Sequence, residues 1–310
     1  MRWKKTEYCG WGRALWASGE LARPERQSAL LALVAVSPAP AIGQRRSYGD
    51  AALNDAGRAI DMTRLDRILG FDSETGVISV EAGVQIGDLA RLFAPRGWLP
   101  PVIPGTGFAT VGGCIANDVH GKNHHVVGSF GQHVVEMVLI QNNRKKTVTP
   151  TRPADLFRAT VGGLGQTGII VTAKIQMMPS KGDMMVLTER RMDGWDEFIA
   201  VLDSSRATYC VGWIDATAKG DNLGPVFWKK ARLRLASRPP KANPARCLLT
   251  HRTGRCRRRL CACSTRLIFV ACRQRAEPRS NRLPNRSFRW TKFTIGTGCT
   301  ANADFTSFNA

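Results

Sequence analysis

The sequence predicts an α/β (α+β) chain with a glycine-rich ligand-binding body, the start of a second α/β unit and an irregular basic tail. Three observations predict it. Period-two apolar runs alternate with helical-period runs as far as Ile214. Three glycine-rich stretches interrupt them between Gly43 and Ile170. Composition then breaks after Gly224. The 310 residues hold 45 basic and 24 acidic side chains, a net charge of +21. Residues 1–224 account for 25 basic and 22 acidic ones; residues 225–310 hold 20 and 2, with six of the nine cysteines and three of the 30 glycines. The basic character therefore belongs to the tail, and the first part has the length and composition for one sizeable core.

Several classes are excluded. No run of about 18 apolar residues exists, so no transmembrane helix is predicted. The longest candidate, Ala29–Val36, stops at Ser37-Pro38 and reads as a short core helix. The basic start Met1–Lys5 runs into Thr6-Glu7-Tyr8 with no apolar stretch, so no secretory signal is expected. Cys9, Cys114 and Cys210 are three widely spaced thiols, which favours a reducing compartment over a disulfide scaffold.

The elements follow in order. Residues 38–50 (PAPAIGQRRSYGD) enter a tight polar loop, and Arg58–Met62 is a short strand. Ile68–Gly83 reads as two strands around Ser73–Gly76, with Ile78, Val80 and Ala82 alternating against Val77, Ser79 and Glu81. Ile86, Leu89, Ala90 and Phe93 stand at i, i+3, i+4 and i+7, an amphipathic helix that Pro95 ends. After a glycine-rich segment from Pro104 to Gly131 come strands at Val134–Ile140 and Lys146–Val148, a helix at Asp155–Val161 and a β-rich run from Gly168 to Met178. A second unit reads strand Met184–Arg191, helix Trp195–Leu202, strand Tyr209–Ile214. Two strands and one helix bury too little surface alone, so such a unit belongs to a larger sheet.

Chemistry is expected in the three glycine-rich stretches: Gly43–Asp50 (GQRRSYGD), Pro104–Asn123 (PGTGFATVGGCIANDVHGKN) and Gly162–Ile170 (GGLGQTGII). None is a Walker loop or a GxGxxG fingerprint. Glycine lets backbone approach a ligand closely and lets consecutive amides face one oxyanion. Ser47, Thr106 and Thr110 add hydroxyl donors. Any one stretch alone could be a tight turn; three within this span argue for a ligand.

These stretches carry a resemblance. Arg46-Ser-Tyr-Gly-Asp50, Pro104-Gly-Thr106, Thr110-Val-Gly-Gly113, Asn117–His125 (NDVHGKNHH), Gly128-Ser-Phe-Gly131 and Ala159–Ile170, with Gly10-Trp-Gly12, resemble the vanillyl-alcohol oxidase / p-cresol methylhydroxylase (PCMH-type) flavoenzyme superfamily, closest to its decaprenylphosphoryl-ribose 2-oxidase branch. The resemblance implies a two-lobed PCMH-type FAD-binding domain over residues 1–179 and the beginning of a substrate domain over 180–224. It implies that Gly43, Gln44, Arg45, Arg46, Ser47, Tyr48, Gly49, Asp50 and Ala51 wrap the pyrophosphate. Gly105, Thr110, Val111, Gly112, Gly113, Asn117, Asp118, Val119 and His120 would line the rest of the cofactor, and Ile170 would touch it from the last glycine-rich turn. Covalent-flavin relatives carry a His in the first loop; Arg46-Ser47-Tyr48 stands there instead, implying non-covalent FAD. The residues before Gly43 run shorter than the family pattern, which would shorten that loop.

Lys122, His120 and Tyr48 are the candidate catalytic residues by the same resemblance: Lys122 facing substrate, His120 facing the flavin, Tyr48 stacking near it. A solvated lysine, backbone-satisfied histidines and a turn tyrosine are the structural alternatives. His120, His124, His125 and His133 lack a carboxylate or thiol at ligand spacing other than Asp118, so no metal is expected. The implied reaction oxidises a secondary alcohol of a small or lipid-linked sugar, with hydride passing to flavin N5 and oxygen or a quinone as final acceptor. A sugar-lactone (aldonolactone) oxidase on the same scaffold is the near alternative. A cytoplasmic location, with a peripheral position at the inner membrane left open, accompanies that reading.

Residues 225–310 show no sustained period. They compete between a nucleic-acid-binding tail, a disordered basic arm and out-of-frame translation of a GC-rich gene. The cysteine spacing C-x4-C-x-C-x8-C of Cys256, Cys261, Cys263 and Cys272 fits no zinc site, and the arginines do not gather on one periodic face, so nucleic acid is a poor fit. The out-of-frame reading is preferred. It predicts a truncated, aggregation-prone and inactive chain.

Overall fold

The computed structural model describes residues 2–182, 184–192, 194–215, 224–234, 268–272 and 290–294. The chain opens on a hairpin, β1 (Lys4–Cys9) and β2 (Trp16–Ala22). Helix α1 (Gln27–Val36) leads to β3 (Ala41–Ile42) and β4 (Arg58–Asp61). These strands form a four-stranded sheet in the order β1-β2-β4-β3, antiparallel in the hairpin and parallel elsewhere.

The second sheet is antiparallel and five-stranded. Its members are β5 (Ile68–Phe71), β6 (Val77–Glu81), β8 (Val134–Gln141), β9 (Arg144–Val148) and β10 (Ile169–Gln176), in the order β5-β6-β10-β8-β9. Helix α2 (Ile86–Phe93) falls where the periodicity puts it, burying Ile86, Leu89, Ala90 and Phe93. Its continuation through a short 3-10 turn stops at Gly97, whose φ of 82° supplies the left-handed residue a helix end needs. The short pair β7 (Trp98–Leu99) and β11 (Met178–Pro179) follows. Helix α3 (Val111–Ala116), one-turn α4 (His124–Val127) and α5 (Ala154–Thr160) complete this body.

One face of the antiparallel sheet (Ile78, Val80, Met137, Leu139, Ala173, Ile175) packs on Leu89 and Phe93 of α2 and on Val111, Cys114 and Ile115 of α3. Each buried Ile, Val, Leu, Met and Phe among them is worth about 1.5–3 kcal/mol in transfer free energy. A second cluster joins the lobes: Leu30, Leu33 and Val34 of α1 meet Ile60 and Met62 from the first sheet and Ile140, Ile169 and Val171 from the second. Strand β10 serves both clusters because its pairing with β8 slips between Ile170 and Thr172. Such a bulge re-aims the flanking side chains. Val171 turns towards α1, and Ile170 turns towards the space between the lobes.

The second unit matches its predicted elements, with β12 (Met184–Arg191), α6 (Trp195–Ser204) and β13 (Tyr209–Asp215). Beyond them the sequence reading placed no element, yet β14 (Gly224–Arg234) pairs antiparallel with both β12 and β13. Strands β15 (Ile268–Cys272) and β16 (Trp290–Thr294) extend this sheet to the order β13-β14-β12-β15-β16. The partner strands that β12 and β13 needed thus come in part from the basic region. The rest of residues 225–310, and the competing readings of it, lie outside the described residues. Met185 and Tyr209 pack on Ala90, Ala94 and Leu99, which seats the second unit against α2. No described helix is long and apolar enough to cross a membrane, and Cys9, Cys114 and Cys210 are free thiols.

Candidate cofactor site

A cleft of about 700 Å³ lies between the two lobes. Its floor is apolar: Ile42 at the end of β3, Met62 after β4, Ala82 after β6, and Ile170 in β10. The strand ends converge there through backbone bonds. Met62 N–H donates to Ile42 O (2.9 Å) across the first sheet, and Ala82 N–H donates to Val171 O (2.9 Å) across the second. Gly112 N–H then donates to Ala82 O (2.8 Å), docking the start of α3 on the same floor.

Three loops form the walls. The first runs from Gly43 to Ala52 and is braced by the β1–β2 hairpin, where Trp11 N–H donates to Ser47 O (2.9 Å). Trp11 and Tyr48 meet edge to face at 5.1 Å. The second wall runs through Gly105, Thr110, Gly112 and Gly113 to Val119. Thr110 caps α3, its Oγ1 accepting from Gly113 N–H (3.2 Å). The third wall is the turn at Leu164, Gly165 and Gly168. The glycines are placed where backbone must come close. A Cβ on Gly112 would lie 3.0 Å from Ala82 Cβ and 3.2 Å from Ala82 O.

The charged side chains lining the cleft are Arg45 and Arg46; no lining residue is acidic. Arg45 holds a positive φ of 53° and stacks over the Tyr8 ring at 5.9 Å. Arg46 stacks over the Phe108 ring at 4.9 Å. An apolar floor, walls of bare backbone and two guanidiniums at the rim suit a flat ring system joined to a diphosphate. The lining holds no His, Cys, Asp, Glu or Lys, so the cleft is built chiefly to bind. Tyr48 is its one phenol; any other proton-transfer group would have to come from its edge.

Most of the predicted cofactor residues meet here: Gly43, Gln44, Arg45, Arg46, Ser47, Tyr48, Ala51, Gly105, Thr110, Gly112, Gly113, Asn117, Val119 and Ile170. Others stand off the lining. Gly49 and Asp50 are exposed and outside the lining. Val111 is fully buried in the main core. Asp118, at φ 42°, accepts from Ser129 Oγ (2.9 Å) and Gly131 N–H (2.8 Å), so it pins the loop that follows. His120 and Lys122 follow Val119 outside the lining. His120 is exposed and packs against His124 at 5.4 Å. Lys122 O accepts from Cys210 N–H (2.8 Å) of the second unit. His125 Nε2 bonds Ala207 O (3.0 Å) and His133 Nε2 bonds Val127 O (2.9 Å), the backbone-satisfied outcome for these two rings. Among the described residues no His, Cys, Asp or Glu cluster is arranged to hold a metal. Sequence reasoning missed Met62, Ala82, Ala116 and Leu164, ordinary apolar residues whose only signal is a strand end or a turn.

Residues 22–143 match the FAD binding domain family. The chain is 46% identical over 187 residues to decaprenylphosphoryl-beta-D-ribose oxidase of Mycolicibacterium smegmatis, covering 59% of this chain and 41% of that one. It is 30% identical over 145 residues to D-lactate dehydrogenase of Anaerostipes hadrus (45% and 30% of the two chains). It is 33% identical over 123 residues to human delta(24)-sterol reductase (39% and 23%). The chain thus spans under half the length of these curated relatives. The matched region contains both arginines, both cleft-facing glycines of α3 and the whole of β3, β4 and β6. Geometry and matches agree on this region: residues 22–143 carry an FAD-binding domain of the PCMH type, and most of the residues that line the cleft fall within it.

Proposed function

We propose that the protein is an FAD-dependent oxidoreductase that oxidises a secondary alcohol of a lipid-linked sugar of the decaprenylphosphoryl-ribose type. The observation that carries the reading is the 46% identity over 187 residues to an oxidase of that name, beside an FAD-binding match over residues 22–143 that takes in most of the cleft lining. When bound, FAD supplies a hydride acceptor. Arg45 and Arg46 hold the diphosphate, and the first loop lacks a histidine, so the cofactor is held non-covalently. Ile42, Met62, Ala82 and Ile170, the apolar floor of the cleft, would hold the ring system and exclude water from it. Lys122 and His120, on the segment leaving the cleft after Val119, are the groups at the edge able to hold a substrate oxygen and its proton.

The test has two arms. Purified full-length chain is precipitated with acid; the yellow colour is expected in the supernatant, and colour in the pellet refutes non-covalent binding. In a full-length relative, or in this chain with a restored second domain, Lys122→Met is expected to keep FAD while slowing flavin reduction by a polyprenyl-phosphoryl pentose. Equal reduction kinetics in the variant, or faster turnover of an aldonolactone than of the lipid-linked sugar, refutes the substrate assignment.

A further inference from the structure

The segment His120–Gly128 leaves the cleft at Val119, and α4 has four residues and fully buries none of them, Val127 alone resting on the main core. The rest of its hold is polar. On the inner side, Asn123 is fully buried and its Nδ2 donates to Pro101 O (2.7 Å). At the base, His120 bridges Ser129, and Asp118 clamps Ser129 and Gly131. On the outer side, two bonds reach it from one short stretch of the second unit: Cys210 N–H to Lys122 O (2.8 Å) and His125 Nε2–H to Ala207 O (3.0 Å). Ala207 is fully buried, and Tyr209 beside it is locked against Leu99 and Met185. The stretch is therefore a firm anchor.

We propose that His125 is a positioning residue. Its ring ties the segment to the second unit and so sets the backbone that carries Lys122 and His120 relative to the flavin. The inference rests on the reading of the cleft as the FAD site. A group that crosses between two units is a sensitive place for such control, because small displacements of a reacting group cost rate steeply. A glutamine can replace the ring, its amide N–H reaching where Nε2 does; an alanine cannot.

The test uses the full chain and the variants His125→Ala and His125→Gln, with two readouts. In the protein without added FAD, amide exchange at Val126, Val127, Gly128 and Cys210 is expected to rise about fivefold in His125→Ala and to return towards native in His125→Gln, one neutral hydrogen bond being lost and restored. Exchange in β8 and β10 should not move. With FAD bound, the midpoint potential of His125→Ala is expected to shift by about 20 mV, a fivefold change for a two-electron couple, and His125→Gln should again recover. Native exchange in His125→Ala overturns the tether. Altered exchange with an unchanged potential overturns the positioning role and leaves a structural bond. A glutamine variant as defective as the alanine overturns the hydrogen-bond mechanism. Failure of every form, native included, to bind FAD falls on the cofactor reading instead, and the exchange arm still decides the tether.

Discussion

Replacing Gly112 by valine should separate cofactor binding from folding. Gly112 lies in the first turn of α3 and faces Ala82 across the cleft floor. A Cβ there would sit 3.0 Å from Ala82 Cβ, against about 3.5–4.0 Å for an unstrained carbon pair. Ala82 has nowhere to go: it is 3% exposed, its N–H donates to Val171 O and its carbonyl accepts from Gly112 N–H. Valine adds two more methyl carbons, so either they project into the cleft or the start of α3 lifts off β6 and β10. Overpacking of this kind costs about 1–3 kcal/mol. Borne wholly by the FAD-bound state, that weakens affinity by about 5- to 150-fold. Borne by the fold, it lowers Tm by about 2–4 °C per kcal/mol. FAD titration by flavin fluorescence and a melt of the cofactor-free protein measure the two shares. Gly113→Val is the comparison, because a Cβ there meets only Thr110 Oγ1, at 3.1 Å, a contact that a shift of a few tenths of an ångström relieves. The expected order of FAD affinity is native, then Gly113→Val, then Gly112→Val. Native affinity in both variants, or the reverse order, refutes the claim that these glycines exist for close backbone approach.

Three further outcomes are expected. Gly43 and Gly113 both lean on the Thr110 hydroxyl; Gly43→Ala should therefore weaken FAD binding less in a Thr110→Ala background, and additive losses in the double-mutant cycle would remove that coupling. Asp118→Ala strips acceptors from Ser129 Oγ and Gly131 N–H and should cost about 1–3 kcal/mol in chemical denaturation; a change under about 0.5 kcal/mol would show that water replaces the carboxylate. Burial pushes the Cys114 thiol well above its ordinary 9.0 and the Tyr209 phenol up to about 12 from 10.0. Both stay protonated in the folded chain while the unfolded chain releases their protons, so stability is intact below pH 9 and falls as pH rises above it. The melting temperature should drop between pH 8.5 and 10.5 less steeply in Cys114→Ala, and identical slopes would remove Cys114 from the account.

Much of the cofactor body was legible in the chain because its signals are local. The spacing of Ile86, Leu89, Ala90 and Phe93 defines α2 to the residue, and alternation defines β6, since both patterns record which face is buried. The glycine-rich loops announced a ligand by composition. What stayed hidden depends on neighbours distant in sequence. Helix α3 carries Gly112 and Gly113, poor helix formers, and exists because Val111, Cys114 and Ile115 are buried against the sheet. Val111 and Gly112 are adjacent in one motif, yet one faces the core and the other the cleft, a difference set by the turn of the helix. The tether from Ala207 and Cys210 to His125 and Lys122 joins residues more than 80 positions apart, and no pattern in either segment encodes its partner. The sequence by itself marked the loops that line the cleft, because close backbone approach to a ligand demands glycine; that the ligand is a flavin dinucleotide came from the resemblance of their motifs. Tertiary packing alone decided which residues of those loops reach the cleft and which hold the others in place, because that depends on how two sheets and α1 close around the space between them.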